Sequence, residues 1–521
     1  MGGTARDVVV VGRGPVGQLA AILLGARGWE VVLVERWPEP YPLPRAVTFD
    51  HEVGRVLGAA GIGGGLAAVS EAATEYEWRN AAGQVLLRFA WDRPGITGWP
   101  RASMFAQPEL EALLAKRIAA MPNVEVRAGC EAVAVHQDDR RAVVRVRDGA
   151  GTEGELSARY VVGCDGAKST VRRFMDTTVT DLGFFHDWLI VDVVPGRPRE
   201  WRPANLQICD PARPTTVVSG GPGRRRFEFM RLPGESAAEL NRAETAWRLI
   251  APWGLGPDNT VLERHTVYTF QARWADRWRD GRLLLAGDAA HLMPPFAGQG
   301  MCAGLRDAAN LAWKLDLVLS GRADPDLLDS YTAERTAHVR EAIETSIELG
   351  KVICVLDPDA AAERDRAMNA AGGGTVVDTL PDQPLTTGVL ADRPADRAGM
   401  LCPQGRVRYG GREGGFDEVV GTGFAVLCAA EPGTLLDDGR LAFCERLGAH
   451  VLRIVAPGEP GEPAEPGFGT VVDLDGVYRA LLDGHEAVVV RPDFYVFGAG
   501  GAAALVDGLR DRLGASGVLG A

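Results

Sequence analysis

Lysine is nearly missing from this chain: 4 of the 56 basic residues, the rest being arginine. That imbalance suggests a GC-rich coding genome and says little about function. Positive charge is in deficit overall, with 69 acidic against 56 basic residues and a formal net charge of −13. The chain therefore lacks the field that holds nucleic acid or an anionic membrane surface. No apolar run approaches the roughly 20 residues that span a bilayer. No apolar leader precedes the first strand, so a cytoplasmic protein is expected. Cysteines are few and scattered, the closest in sequence being Cys428 and Cys444. With no C-x-x-C, no zinc spacing and no disulfide framework, and no H-E-x-x-H among the histidines, no resident metal is expected. What is present is ample core: 46% apolar and 24% charged residues over 521 positions, enough for two or three domains.

Residues 7–35, "DVVVVGRGPVGQLAAILLGARGWEVVLVE", read as strand, glycine turn, helix and strand, the valine runs suiting a parallel sheet buried on both faces. A helix is expected over 107–119, with Pro108 in its first turn, and strands near 124–135, 142–147 and 156–163. Residues 180–275 are rich in β-type stretches and read as a mostly antiparallel sheet inserted into the α/β domain. The α/β domain thus has two parts, 1–179 and 276–356, the second carrying a strand at 282–287 and long helices from about 300. Residues 357–400 read as a linker, and 401–521 as a small C-terminal α/β domain with a Pro/Gly/Glu-rich loop at 457–467.

Three motifs carry the chemistry. In the first, Gly12 permits a tight turn, Gly14 lets backbone approach a pyrophosphate, and Gly17 lets helix and strand pack closely. Pro15 and Val16 complete that turn, and the helix N-terminus beyond it favours an anion. Glu35, followed by Arg36, closes the second strand where an acid accepts from ribose hydroxyls. Such a turn signals a dinucleotide without choosing between NAD and FAD. The second motif is "YVVGCDGAKSTVRR", a buried strand ending at Asp165. The third is "GRLLLAGDAAHLMPPFAGQGMCAGLRDAANLAWKL". There Asp288 ends a strand where its carboxylate can accept from a polyol. Pro294 and Pro295 stiffen the loop, and Gly298, Gln299 and Gly300 let backbone lie against a flat ring. Free N–H groups at Gly300 and Met301 face the same way. His291 reads as a satisfied loop histidine.

In this order the motifs resemble those of the group A flavoprotein monooxygenases, the para-hydroxybenzoate hydroxylase fold group, over about residues 5–350. "PRAVTFDHE", "CDPARP", "RRFEFMRLPGE" and "VYTFQARWADRW" are similar to the 3-(3-hydroxyphenyl)propionate hydroxylase branch, and the last 120 residues to the thioredoxin-like tail of phenol and polyketide hydroxylases. The resemblance implies an FAD-binding domain, an inserted substrate-binding β-sheet domain and a thioredoxin-like C-terminal domain. It implies Asp288 on the flavin ribityl chain, Asp165 near the pyrophosphate and the nicotinamide approach, and Arg45 and Gln107 as further flavin contacts. Without C-x-x-C the tail is expected to be structural and separable from the chemistry.

The function implied is hydroxylation of a phenolic or polycyclic aromatic substrate with NAD(P)H and O₂ through a flavin C4a-hydroperoxide, by a monomer or homodimer. Baeyer–Villiger oxygen insertion, tailoring of an aromatic natural product or antibiotic, and a flavin- or ligand-sequestering protein are the other readings. A halogenase of this fold group would carry W-x-W-x-I-P, which is absent. Pocket residues are expected from the middle sheet: His265, Tyr268 and Phe270, with Phe296 at the flavin edge, although core packing alone accounts for an aromatic at each place. No catalytic base is assigned.

Overall fold

Val8, Val9, Val10 and Val11 are at most 4% exposed, and each such side chain contributes roughly 1.5–3 kcal/mol by leaving water. They form the strand Arg6–Val11 at the centre of an eight-stranded sheet in the computed structural model, which describes residues 6–374, 376–377, 383–392, 396–459 and 468–514. Val31–Glu35 pairs parallel on one side, then Val124–Ala128. Glu153–Gly163 pairs parallel on the other, then Leu283–Leu285. The carboxyl ends of these strands bring Gly12, Glu35, Cys164 and Ala286 to one edge, where open α/β sheets hold their ligands. The helix expected at 107–119 spans Gln107–Ala119. Two long helices, Gly300–Leu319 and Asp329–Ile353, complete this domain.

The second sheet has nine strands. Its spine is the antiparallel pair Val179–Pro195 and Thr260–Ala275, flanked by Arg225–Met230, Thr215–Ser219 and Leu206–Cys209. It also recruits Glu75–Asn80, Val85–Ala90 and Val376–Val377, so the sheet domain extends beyond the expected 180–275. One face packs Leu189, Val191, Phe227 and Phe229 against the helix Ala243–Ile250. The opposite face carries Trp188, Ile190, Met230 and Phe270.

The expected linker 357–400 is partly a folded connection. Asp357 caps the helix Pro358–Ala370, its side chain accepting from the N–H of Ala360 at 2.8 Å. Further on, Leu385 and Val389 are buried. Only Ala361 of that helix is buried, so its composition reads as a linker despite the cap. Positions 375, 378–382 and 393–395 of that stretch, and 460–467 of the expected loop, lie outside the described residues.

The C-terminal domain is built on Ala425–Cys428, His450–Val455 and Phe468–Asp473, all parallel, continued by the antiparallel strands Ala487–Val490 and Val496–Gly500. This is the thioredoxin-like arrangement expected, with Cys428 and Cys444 buried and free. It is not a loose appendage. Trp313 of the long helix meets Phe424 edge-on at 5.4 Å, and one apolar cluster runs through both domains. Among the described residues no helix is long and apolar enough to cross a membrane, and no group of side chains suits a metal ion.

Candidate active site

The glycine turn is dictated by contact. Gly12 has φ +105°, and a Cβ there would lie 2.3 Å from the Cys164 carbonyl oxygen. A Cβ on Gly17 would lie 1.9 Å from the Gly12 carbonyl oxygen. Around Gly14 a Cβ would meet nothing within 4 Å, leaving room for a ligand against its backbone. Pro15 has no N–H, no side chain caps the helix Pro15–Gly25, and its first turn holds no acid. Its leading N–H groups are therefore left for an anion. Glu35 accepts from the N–H of Arg13 at 2.8 Å and of Trp37 at 3.0 Å. It thereby fixes the turn. Arg36 lies over the Trp37 ring, 5.3 Å from its centroid.

Asp165 sits where the motif puts it, but its carboxylate is spent locally. It accepts from Ser169 Oγ at 2.5 Å and from the N–H of Thr170 at 2.6 Å. Its backbone abuts Gly12, and its side chain holds its own turn. Gln107 is likewise engaged, accepting from the Ala46 N–H at 2.7 Å and donating to Glu111 at 2.7 Å. It positions the Arg45 segment. The Arg45 guanidinium lies 4.5 Å from the centroid of Tyr41.

Asp288 differs from both. It follows the strand Leu283–Leu285, opens onto the cleft and makes no hydrogen bond among the described residues. The protein around it pushes its carboxyl above the ordinary range, against the pull of His291 and Arg45. His291 is a satisfied structural group as expected, bonded to Asp307 at 2.8 Å and stacked on Trp278. Pro295–Ala297 form a short 3₁₀ turn, and Gly298 has φ +66°. The helix from Gly300 has no side-chain cap and no acid in its first turn, and its first backbone bond runs from Ala303 to Gln299. The N–H groups of Gly300, Met301 and Cys302 thus precede the helical ladder. An unengaged acid, an open glycine wall and two bare helix N-termini fit the ribityl chain, the pyrophosphate and the pyrimidine edge of FAD.

The second sheet roofs this loop. Phe296 meets Trp188 at 5.7 Å and Phe270 at 5.8 Å, both edge-on, and Tyr268 lies 6.0 Å from Phe270. Tyr268 remains 48% exposed toward the cleft; burial and nearby Asp288 raise its hydroxyl pKa. His265 is a correction. An odd number of residues from Tyr268 and Phe270, it points through the opposite face and bonds Asn241 at 3.2 Å. It lines no pocket with them.

Sequence reasoning missed a polar strip on the face that carries Trp188 and Phe270. Arg226 makes a bidentate pair with Asp192 at 2.7 and 2.9 Å and donates to the Arg45 carbonyl at 2.5 Å. Met230, four residues on, belongs to the aromatic wall. Glu228 lies between them, opposite Ile190 on one neighbouring strand and Thr216 on the other. Thr216 donates to Gln207 at 2.6 Å, and Tyr76 contacts the same amide oxygen at 3.4 Å. The alternation in "RRFEFM" is the available signal, since Phe227 and Phe229 claim one face and leave Arg226 and Glu228 on the other.

A second missed feature reaches the site from the C-terminal domain. Tyr495 donates to Glu52 at 2.8 Å, Glu52 accepts from Arg306 at 2.5 Å, and Arg306 donates to Gln299 at 2.8 Å. Asp50 closes the loop, accepting from Arg306 at 2.6 Å and from Gln299 at 3.2 Å. Arg55 grips Asp417 through two bonds, 2.7 and 2.8 Å. Against expectation, the tail is tied to the flavin loop by buried, charge-assisted hydrogen bonds.

Comparison with known proteins agrees with this geometry. A family described as FAD binding domain matches residues 5–346, and one described as HcaD C-terminal domain matches residues 399–513. A "Probable NADH-specific resorcinol 4-hydroxylase" of Rhodococcus jostii is 40% identical, covering 98% of this chain and 95% of its own. A "3-(3-hydroxy-phenyl)propionate/3-hydroxycinnamic acid hydroxylase" of Comamonas testosteroni is 32% identical, covering 94% and 93%. Among solved structures, the flavin-dependent monooxygenase PieE in complex with FAD and substrate superposes with TM-score 0.82 at 22% identity, over 99% of this chain and all of that one. That likeness carries the fold alone. The chain belongs to the FAD binding domain family and is an FAD-dependent aromatic hydroxylase.

Proposed function

We propose that the substrate is a small phenol, of the size of resorcinol, and that NADH is the reductant. The observation that carries this reading is the wall of Trp188, Phe270 and Phe296 standing over the flavin loop, with a single polar strip beside it. An aromatic ring suits that wall, and a hydroxyl suits the strip. The printed name of the Rhodococcus jostii relative supports both the substrate size and NADH. Bound FAD, reduced by the nicotinamide, supplies the activated oxygen. The chain's own residues hold the ring, exclude water with the aromatic wall, and present the N–H groups of Gly300 to Cys302 to negative charge at the flavin's pyrimidine edge. Ring hydroxylation ortho to the hydroxyl is the outcome proposed, in a cytoplasmic monomer or homodimer.

The test is NADH oxidation by the FAD-loaded enzyme with a panel of phenols and larger polycyclic aromatics under isotopically labelled O₂. Resorcinol should accelerate NADH oxidation and gain one labelled ring hydroxyl. Label found in an ester or lactone would replace hydroxylation by ring insertion. Turnover confined to polycyclic compounds would refute the substrate size.

A further inference from the structure

Glu228 is a carboxylate on the Arg226 face of the sheet whose side chain accepts no hydrogen bond among the described residues. The nearest cation, Arg226, lies 3.8 Å away with its own donors committed to Asp192, Pro44 and Arg45. No hydrogen bond reaches the Glu228 carboxylate among the described residues, yet the side chain is only 13% exposed. A buried carboxylate with one long ion pair and no hydrogen-bond donor costs free energy unless a ligand completes it. Its position on the strand says which ligand. On one side, Arg226 touches the Arg45 segment of the flavin domain. On the other, Met230 joins Trp188, Phe270 and Phe296. A ring resting on that wall therefore has Glu228 at its edge, with Thr216, Gln207 and Tyr76 just beyond.

We propose that Glu228 is the catalytic base toward the substrate hydroxyl, and that the Thr216–Gln207–Tyr76 strip beside it favours phenols bearing a second hydroxyl. This rests on the phenol-hydroxylase reading. The phenolic O–H bond breaks, and its proton passes to a Glu228 carboxylate oxygen. The bonding pair is released into the ring and enriches the ortho and para carbons that take up oxygen. Glu228 returns the proton to water when product leaves.

The surrounding charges suit the task. Burial raises the Glu228 carboxyl above its ordinary range, Arg226 and Arg264 pull it back, and Asp192 pushes it up again. Tyr76 faces it from the sheet's far strands, kept protonated by burial and by the neighbouring Glu228. A base raised in this way is closer to neutral pH and accepts a proton more readily. Below its own pKa it is already protonated and idle, so the acid limb of the activity profile belongs to it.

The experiment compares full-length, FAD-loaded wild type with Glu228→Gln and Glu228→Asp, using resorcinol as the probe. Glu228→Gln should bind FAD as wild type does and lose about a hundredfold in kcat/KM. Its acid limb should vanish, and NADH should be diverted to peroxide. Glu228→Asp, still a carboxylate, should keep the limb and recover part of the rate. If Glu228→Gln retains both the acid limb and kcat/KM, the assignment is overturned while the phenol reading stands. If wild type adds oxygen to no phenol, the phenol reading fails first and takes this proposal with it.

Discussion

Asp288 offers an acceptor that no group among the described residues uses, and that sets it apart from every other acid of the three motifs. Asp288→Ala is therefore expected to weaken FAD binding by roughly 1.5–3 kcal/mol, about ten- to hundredfold. Titrating apoenzyme with FAD measures it, and an unchanged affinity in a folded variant would remove Asp288 from the flavin site. Residue type and spacing single out Asp165, Gln107 and Asp288 along the chain. They did not say where each side chain's bonds go. The partners of Asp165 lie four to six residues downstream, close enough for the local "DGAKST" to have shown a self-contained turn. Glu228 was illegible because its surroundings come from strands near 190 and 216, which only the folded sheet brings together.

Among the elements, the turn at Gly298 has little freedom. Its φ of +66° lies in the left-handed region, and a Cβ would stand 2.8 Å from Thr48 Cγ2. Gly298→Ala should cost about 1–2 kcal/mol from backbone strain, more with the contact, and lower the temperature at which FAD is released. Adding Thr48→Ser removes the methyl and should restore part of the loss. Release temperatures equal in wild type and Gly298→Ala would show that the turn does not hold the flavin. Elements were legible wherever periodicity was strong, as in Gln107–Ala119 and the valine strands. They were not where membership depends on distant pairing. Glu75–Asn80 joins the second sheet only through Leu206–Cys209, more than a hundred residues later.

Across the whole molecule, the domains are fastened through Glu334. It is fully buried, paired with Arg491 at 2.7 Å and Lys314 at 2.8 Å, and Asn310 donates to it at 2.7 Å. Burial alone would raise its carboxyl, but Arg491 and Lys314 outweigh burial and hold it at about 2, below the usual 4.5. A depressed carboxyl stabilises the fold above its ordinary pKa, and that contribution is lost as pH falls from about 4.5 toward 2. Glu334→Gln should lose roughly 3–5 kcal/mol near neutral pH, because Lys314 is left buried without its carboxylate while Arg491 keeps only Asp493. The gap to wild type should then narrow in acid. Urea midpoints at neutral pH and near pH 3 measure this, and a gap independent of pH would rule out the ionised pair as its source.

The hydrogen-bond chain from Tyr495 to Gln299 also bears on how the protein is made. Synthesis runs from the N-terminus, and domains fold as they emerge. Glu52 and Arg306 leave the ribosome long before Tyr495, which stands 443 positions after its partner. Until then the flavin loop is latched from one side only, by Asp50 and Glu52 of the first domain. The part made last thus closes the site made first. A chain cut short in translation would carry the whole phosphate turn and ring loop with a slack hold on its cofactor, so that firm flavin retention becomes a mark of a finished polypeptide.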